Sequence, residues 1–156
     1  MNEAMQPLVH LKYDLDTELL LKEAKEAKQV AKPYTDDRYP GKQKDDWYIG
    51  HYTSSYIEQI ISDFKVSGKP RFYWLKPNAT IPKHVDNKTT CSLNFILTQD
   101  PAPINIEGID YTYKQVLLNT TKLHSVTNNN NERIMLKISI FDESYEDLAK
   151  RIPYVI

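Results

Sequence analysis

The sequence predicts a mainly β chain with helices at its N-terminus, its strands closing into a sandwich or small barrel. Three observations predict this. Two stretches within the first 68 residues combine helical periodicity with capping residues. After Gly68 the texture changes to short segments rich in β-branched and aromatic residues, separated by turn formers. About eight such segments fall within some seventy residues, a density that suits sandwiches and small barrels.

The first helix is expected over residues 18–32, ELLLKEAKEAKQVAK, capped by Asp16 or Thr17 and stopped by Pro33. Leu19, Leu20, Ala24, Ala27, Val30 and Ala31 approximate one apolar stripe. Residues 34–48 carry Pro, Gly, charges and aromatics and read as a loop, either a plain connection or a lid facing a substrate. A second helix is expected over residues 54–66, with Tyr56, Ile57, Ile60, Ile61 and Phe64 on one face and Gly68 as its terminator.

The β segments follow as RFYWLK, ATIPKHV, CSLNFILT, PINIEG, IDYTYK, QVLLNTT, LHSVTN and RIMLKISIF. The Asn run at 128–131 reads as a hairpin tip, and a short helix is expected over residues 143–151. These elements divide a single 156-residue domain into a helical part (1–68), a β core (69–142) and a terminal helix and tail (143–156).

Alternation along the strands separates two environments. Leu93, Phe95 and Leu97 share one face, Ser92, Asn94 and Thr98 the other. In the last long strand Ile134, Leu136, Ile138 and Ile140 oppose Arg133, Met135, Lys137 and Ser139. One side is expected to pack on the helices, which leaves a polar barrel interior. Small barrels fill their interior with apolar side chains or hold a ligand there, so polar residues in that place favour a ligand site.

A net charge of −1 gives no basic field for nucleic acid or an anionic membrane. The opening residues lack a basic segment followed by an apolar run, and no apolar run approaches the roughly 20 residues that span a bilayer. The single cysteine, Cys91, cannot form an internal disulfide and is expected to be buried. A cytoplasmic setting follows as the expectation. The N-x-T sequons at Asn78, Asn87 and Asn119 read as products of an Asn- and Thr-rich chain.

Chemistry concentrates in IPKHVD. His84 and Asp86, at i and i+2, would project to the same side of a strand. His124 follows in LHSVTN, and Arg133 nine residues later. Two imidazoles and a carboxylate are the donor set of non-heme Fe(II) oxygenases, which leaves coordination positions open for substrates. A keto-acid cosubstrate needs a cation for its far carboxylate, and the guanidinium of Arg133 suits that task. His10 and His51 have no partners at ligand spacing. Lys137 reads as a strand residue whose head reaches solvent, with an auxiliary cation as the other reading.

With these residues in view, the sequence resembles the Fe(II)/2-oxoglutarate-dependent oxygenase superfamily over about residues 71–142. FYWLKPNATIPKHVDNKTTCSLNFIL and LHSVTNNNNERIMLKISIF look most like the aspartyl/asparaginyl β-hydroxylase-like branch. The resemblance implies a double-stranded β-helix (jelly-roll, cupin-like) core. It implies His84, Asp86 and His124 as iron ligands, Arg133 as the clamp for 2-oxoglutarate, and O2 as the second cosubstrate. Prolyl 4-hydroxylase-like members commonly have Lys where Arg133 stands. Asn94, Ser92 and Tyr73 are further candidates to contact the cosubstrate, with Trp74 turned toward the helices. The implied product is a hydroxylated C–H bond in a protein residue such as Asp or Asn, or in an amino-acid-like molecule. Two other readings use the same features: a cupin-like isomerase or hydrolase on another divalent metal such as Zn2+, and a non-catalytic jelly-roll binding domain.

Overall fold

Two antiparallel sheets face one another, and the long strand RIMLKISI runs through the middle of the larger one. The computed structural model describes residues 5–29, 31–33, 46–86 and 88–156. Its elements are β1 (Leu8–His10), α1 (Thr17–Lys28), β2 (Lys32–Pro33), β3 (Trp47–His51), α2 (Ser55–Phe64), β4 (Gly68–Leu75) and β5 (Thr80–His84). There follow β6 (Cys91–Ile96), β7 (Ile104–Ile106), β8 (Ile109–Tyr111), β9 (Gln115–Leu118), β10 (His124–Thr127), β11 (Arg133–Ile140) and α3 (Tyr145–Arg151). The larger sheet has the order β1-β9-β6-β11-β4-β3-β2, the smaller β5-β10-β7-β8. This is the expected double-stranded β-helix with N-terminal helices. Among the described residues no helix is long and apolar enough to cross a membrane.

The eight anticipated β segments correspond to β4 through β11. The first 68 residues add three strands to the larger sheet beside the two helices. In α1, Asp16 caps the first turn by accepting from the Leu19 N–H, as expected. The helix ends at Lys28, short of the expected Lys32, because the chain leaves it to pair Lys32–Pro33 with β3. Val30 and residues 34–45, most of the expected loop, lie outside the described residues. Trp47 and Tyr48, placed in that loop by the sequence, belong to β3, which pairs along β4.

Gly68 does not terminate α2. That helix closes at Lys65, which takes a left-handed conformation (φ 54°). Gly68 instead opens β4 against Ile140 of β11, where an added Cβ would lie 2.4 Å from Ile138 Cγ2. The Asn run is not a hairpin tip either. It links β10 of the small sheet to β11 of the large one, so it turns a corner between sheets. Asn128 is buried there and its amide donates to the carbonyls of Lys76 and Asn131.

The outer face of the large sheet packs on the helices. Leu20, Ala24 and Ala27 of α1 and Ile57, Ile60 and Phe64 of α2 meet Phe72, Trp74, Leu93, Phe95, Leu136 and Ile138 in one core. Leu19, assigned to the same stripe, stays exposed. Each fully buried aliphatic side chain in this layer contributes about 1.5–3 kcal/mol. The inner face looks across to the small sheet, with Leu75, Ile96, Val116 and Leu118 meeting Ile104, Ile106 and Val126.

Two predictions follow from this packing. Gly68→Ala should destabilise the protein by about 1–3 kcal/mol in denaturant unfolding, since Ile138 must yield to the new methyl group. An unchanged midpoint would contradict the close approach. Cys91 is fully buried, and burial pushes its thiol up to about 11, against a hydrogen bond with Thr90. A thiol reagent should therefore label it only after unfolding. Between the ordinary value near 9 and about 11 the unfolded thiol loses its proton while the folded one keeps it. Stability should accordingly decline as pH rises through that window, and Cys91→Ala should remove that part of the decline.

Candidate metal centre

β5 ends at His84 and β10 begins at His124, and the two residues are direct partners in the antiparallel register. Opposed side chains in such a pair stand on the same face of the sheet, and the two imidazole centroids are 4.4 Å apart. Asp86 lies two residues past β5. Its backbone N–H donates to Thr120 O, which keeps the chain extended and returns the Asp86 side chain to the face used by His84. Asp86 Oδ1 is 3.2 Å from His84 Nε2 and 3.3 Å from His124 Nε2. One donor atom from each residue lies within 4.8 Å of the others.

The far side of each ring fixes its tautomer. His84 Nδ1 lies 2.7 Å from Pro82 O and His124 Nδ1 lies 2.7 Å from Lys122 O. A carbonyl only accepts, so each Nδ1 carries a proton, and each Nε2 is the atom turned toward Asp86, able to donate to its carboxylate or, where a metal takes the proton's place, to offer a lone pair. Two imidazole nitrogens and a carboxylate oxygen thus converge on one point. Backbone-held Nδ1–H groups are the usual support of metal-binding imidazoles. The donor set fits a divalent transition metal with coordination positions to spare.

Asp86 divides its two oxygens. Oδ1 faces the imidazoles, while Oδ2 accepts from Lys137 Nζ at 2.6 Å. Burial works to raise the Asp86 carboxyl, but the imidazoles of His124 and His84 and the Lys137 cation hold it well below the usual carboxylate range. Lys137 itself is buried, contrary to the expectation that its head reaches solvent. Burial works to lower its ammonium, but the nearby Tyr73 and the carboxylate of Asp86 raise it above the ordinary value. A buried ion pair replaces the solvent that a strand lysine would normally seek.

The site opens into a cavity of about 420 Å3 between the sheets. Tyr73, Asn94 and Arg133 line it, as do Met135, Lys137 and Ser139. Trp74 points the other way, into the helix-facing core. Ser92 is fully buried and does not reach the cavity; its hydroxyl donates to Asn94 Oδ1 at 2.8 Å. Arg133 sits at the closed end, 5% exposed, beside the buried Leu75, Ile104 and Tyr113. Its guanidinium donates to Ala102 O at 2.7 Å and to Tyr113 Oη at 3.3 Å, and no carboxylate pairs with it among the described residues. A buried guanidinium served only by neutral acceptors is a ready site for an anion.

Tyr113 was not among the residues singled out from the sequence. It accepts from both Asn94 and Arg133 and, among the described residues, has only the sulfur of Met135 for its own O–H. It belongs to the anticipated IDYTYK segment, but β8 ends at Tyr111 and Tyr113 stands in the link to β9, so alternation along the strand does not mark it as a partner of Arg133. His51 also lines the cavity, at its exposed end, although its sequence neighbours contain no ligand pattern.

No protein-family model matches the chain, and no curated protein matches its sequence. Solved structures do share its fold. A prolyl-4-hydroxylase from Pseudomonas putida superposes with a TM-score of 0.64 at 13% identity, over 86% of this chain and 92% of that one. A 2OG-Fe(II) oxygenase family oxidoreductase from Burkholderia pseudomallei gives a TM-score of 0.58 at 13% identity, over 83% and 82%. The viral collagen prolyl hydroxylase of Paramecium bursaria Chlorella virus-1, solved with 2OG, gives 0.51 at 10% identity, over 85% and 93%. At such identities the likeness is one of fold.

The ion pair generates a two-part prediction. Asp86→Asn should abolish tight binding of Mn(II) or Fe(II), read by equilibrium dialysis. It should also cost about 3 kcal/mol in metal-free unfolding, because Lys137 is left buried without its counter-charge. Adding Lys137→Met should restore much of that stability without restoring metal binding. Equal stability of the two variants would contradict the pairing.

Proposed function

We propose that this protein is an Fe(II)- and 2-oxoglutarate-dependent oxygenase that hydroxylates a C–H bond, with succinate and CO2 as coproducts. The observation that carries the reading is the pairing of two features in one cavity: three converging donors, His84, Asp86 and His124, and a buried Arg133 at the closed end that has no carboxylate partner among the described residues. The shared fold with 2OG-Fe(II) oxygenase family proteins supports it. Within the superfamily we favour the aspartyl/asparaginyl β-hydroxylase-like branch, on the Arg at position 133, with a protein residue or an amino-acid-like molecule as substrate. The buried free thiol of Cys91 agrees with a cytoplasmic setting.

In this reading His84, His124 and Asp86 hold the metal and Arg133 pairs with the distal carboxylate of 2-oxoglutarate. Bound iron would supply the redox chemistry that places one oxygen atom of O2 in the substrate hydroxyl and the other in succinate, as the keto acid loses CO2. The chain's own residues supply position. The carbonyls of Pro82 and Lys122 orient the imidazoles, and Lys137 holds the far oxygen of Asp86. The Tyr113 hydroxyl, which among the described residues donates only to the sulfur of Met135, can donate to the carboxylate that Arg133 grips. Apolar walls from Leu75, Ile104 and Val126 exclude water from the closed end.

Anaerobic addition of Fe(II) and 2-oxoglutarate should produce a weak visible charge-transfer band. Arg133→Leu should weaken 2-oxoglutarate binding about tenfold or more while leaving Fe(II) binding intact, since one charge-assisted bidentate contact is lost. Metal binding without the band in the wild type would sink the assignment. Turnover supported by Zn2+ without succinate would favour the isomerase or hydrolase reading instead.

A further inference from the structure

The cavity carries more positive charge than the proposed chemistry consumes. Among the described residues four cations line it, Lys69, Arg71, Arg133 and Lys137, against one carboxylate, Asp86. The chain as a whole has a net charge of −1, so the excess is local to the cavity. Lys137 is committed to Asp86, and in the reading above Arg133 is committed to the cosubstrate. Arg71 and Lys69 are left over.

Their position separates them from the cosubstrate end. Along β11 and β4 the inward residues pair as Arg133 with Leu75, Met135 with Tyr73, Lys137 with Arg71 and Ser139 with Lys69. The first pair is buried, whereas Lys69 is exposed, as are His51 and Phe141 beside the same end of the cavity. The cavity therefore opens at Arg71 and closes at Arg133. Arg71 stands directly across the ladder from Lys137, the residue that holds the metal-facing carboxylate.

Arg71 is held but not neutralised. One guanidinium nitrogen donates to the buried Ser139 hydroxyl at 3.2 Å, and the group lies 5.4 Å from the centroid of the Tyr73 ring. These contacts steady the side chain and, among the described residues, leave most of its five N–H donors unused. No carboxylate pairs with Arg71 or Lys69 among the described residues. Tyr73, Ile49 and Phe141 supply apolar wall beside it.

We infer that Arg71 is a substrate-recognition residue that grips a carboxylate at the open end of the cavity, so that the molecule oxidised is a carboxylic acid whose carbon chain points inward. The inference deepens the oxygenase reading and rests on it for the assignment of Arg133 to the cosubstrate. A planar guanidinium edge suits one carboxylate bidentately. The acid can be a free small molecule or an acidic side chain of a peptide.

The test titrates the Mn(II)- and 2-oxoglutarate-loaded protein by calorimetry with two probe pairs. One pair is N-acetyl-phenylalanine and its amide; the other is a blocked Gly-Asp-Gly peptide and its Gly-Asn-Gly counterpart. An acid should bind about tenfold or more tightly than its amide, and the better of the two acids identifies the source. The preference should vanish in Arg71→Gln, survive in part in Arg71→Lys, and weaken with added salt in the wild type. Circular dichroism monitors folding of the variants, and the wild-type salt series decides the matter if Arg71→Gln fails to fold. Equal binding of acid and amide in both pairs, or a preference untouched by Arg71→Gln, overturns the inference. The visible band of the Fe(II)–2-oxoglutarate complex reports the parent reading separately. A band without acid preference removes only Arg71, whereas acid preference without a band removes the oxygenase and leaves the anion site.

Discussion

Strand β11 is hydrogen-bonded on both sides, to β4 and to β6, so each of its eight side chains must settle on one face of the sheet or the other. Four isoleucines and leucines take the helix face and disappear into a continuous core. Arg133, Met135, Lys137 and Ser139 are thereby forced toward the small sheet. A period of two residues thus determines where the charges go, and a one-residue slip of register would bury the cations under the helices and expose the core to the cavity. The eight-residue pairing with β4 and the six-residue pairing with β6 make that slip expensive.

Much of this was legible in the sequence because it depends on local periodicity. The eight core strands, the two faces of β6 and β11, the inward turn of Tyr73 and the convergence of His84 with Asp86 all follow from alternation. The elements that escaped are those that exist only through distant partners. Leu8–His10 has three residues, too few to show a period, and is a strand because β9 lies beside it. Trp47–His51 follows a charged, Gly-bearing stretch and becomes a strand by pairing with β4. Asn128 looks like a polar loop tip, yet its amide satisfies carbonyls on two sides of a corner between sheets.

Lys137 is the most instructive case. A lysine in an alternating strand normally carries its head to water, and nothing near it in the sequence argues otherwise. Its partner lies 51 residues earlier, beyond the end of a strand in the other sheet. Charge pairing across sheets is invisible to any pattern read along one strand. The same holds for Tyr113, which matters because Asn94 and Arg133 reach it from two different strands.

The Asp86–Lys137 pair also bears on how the candidate metal centre is built. The small sheet contributes His84 and His124, whereas the large sheet contributes the cation that steadies Asp86. A carboxylate free to rotate would exchange its oxygens; this one has Oδ2 engaged at 2.6 Å, which leaves Oδ1 aimed at the imidazoles. Orientation of the ligand set is thus tied to the separation of the two sheets. That separation is set in turn by the apolar contacts of Leu75, Ile96 and Leu118 with Ile104, Ile106 and Val126 around the cavity. A change in that layer, far from any donor atom, reaches the centre through the length of one ion pair, which places the geometry of the site under the control of the packing between the sheets.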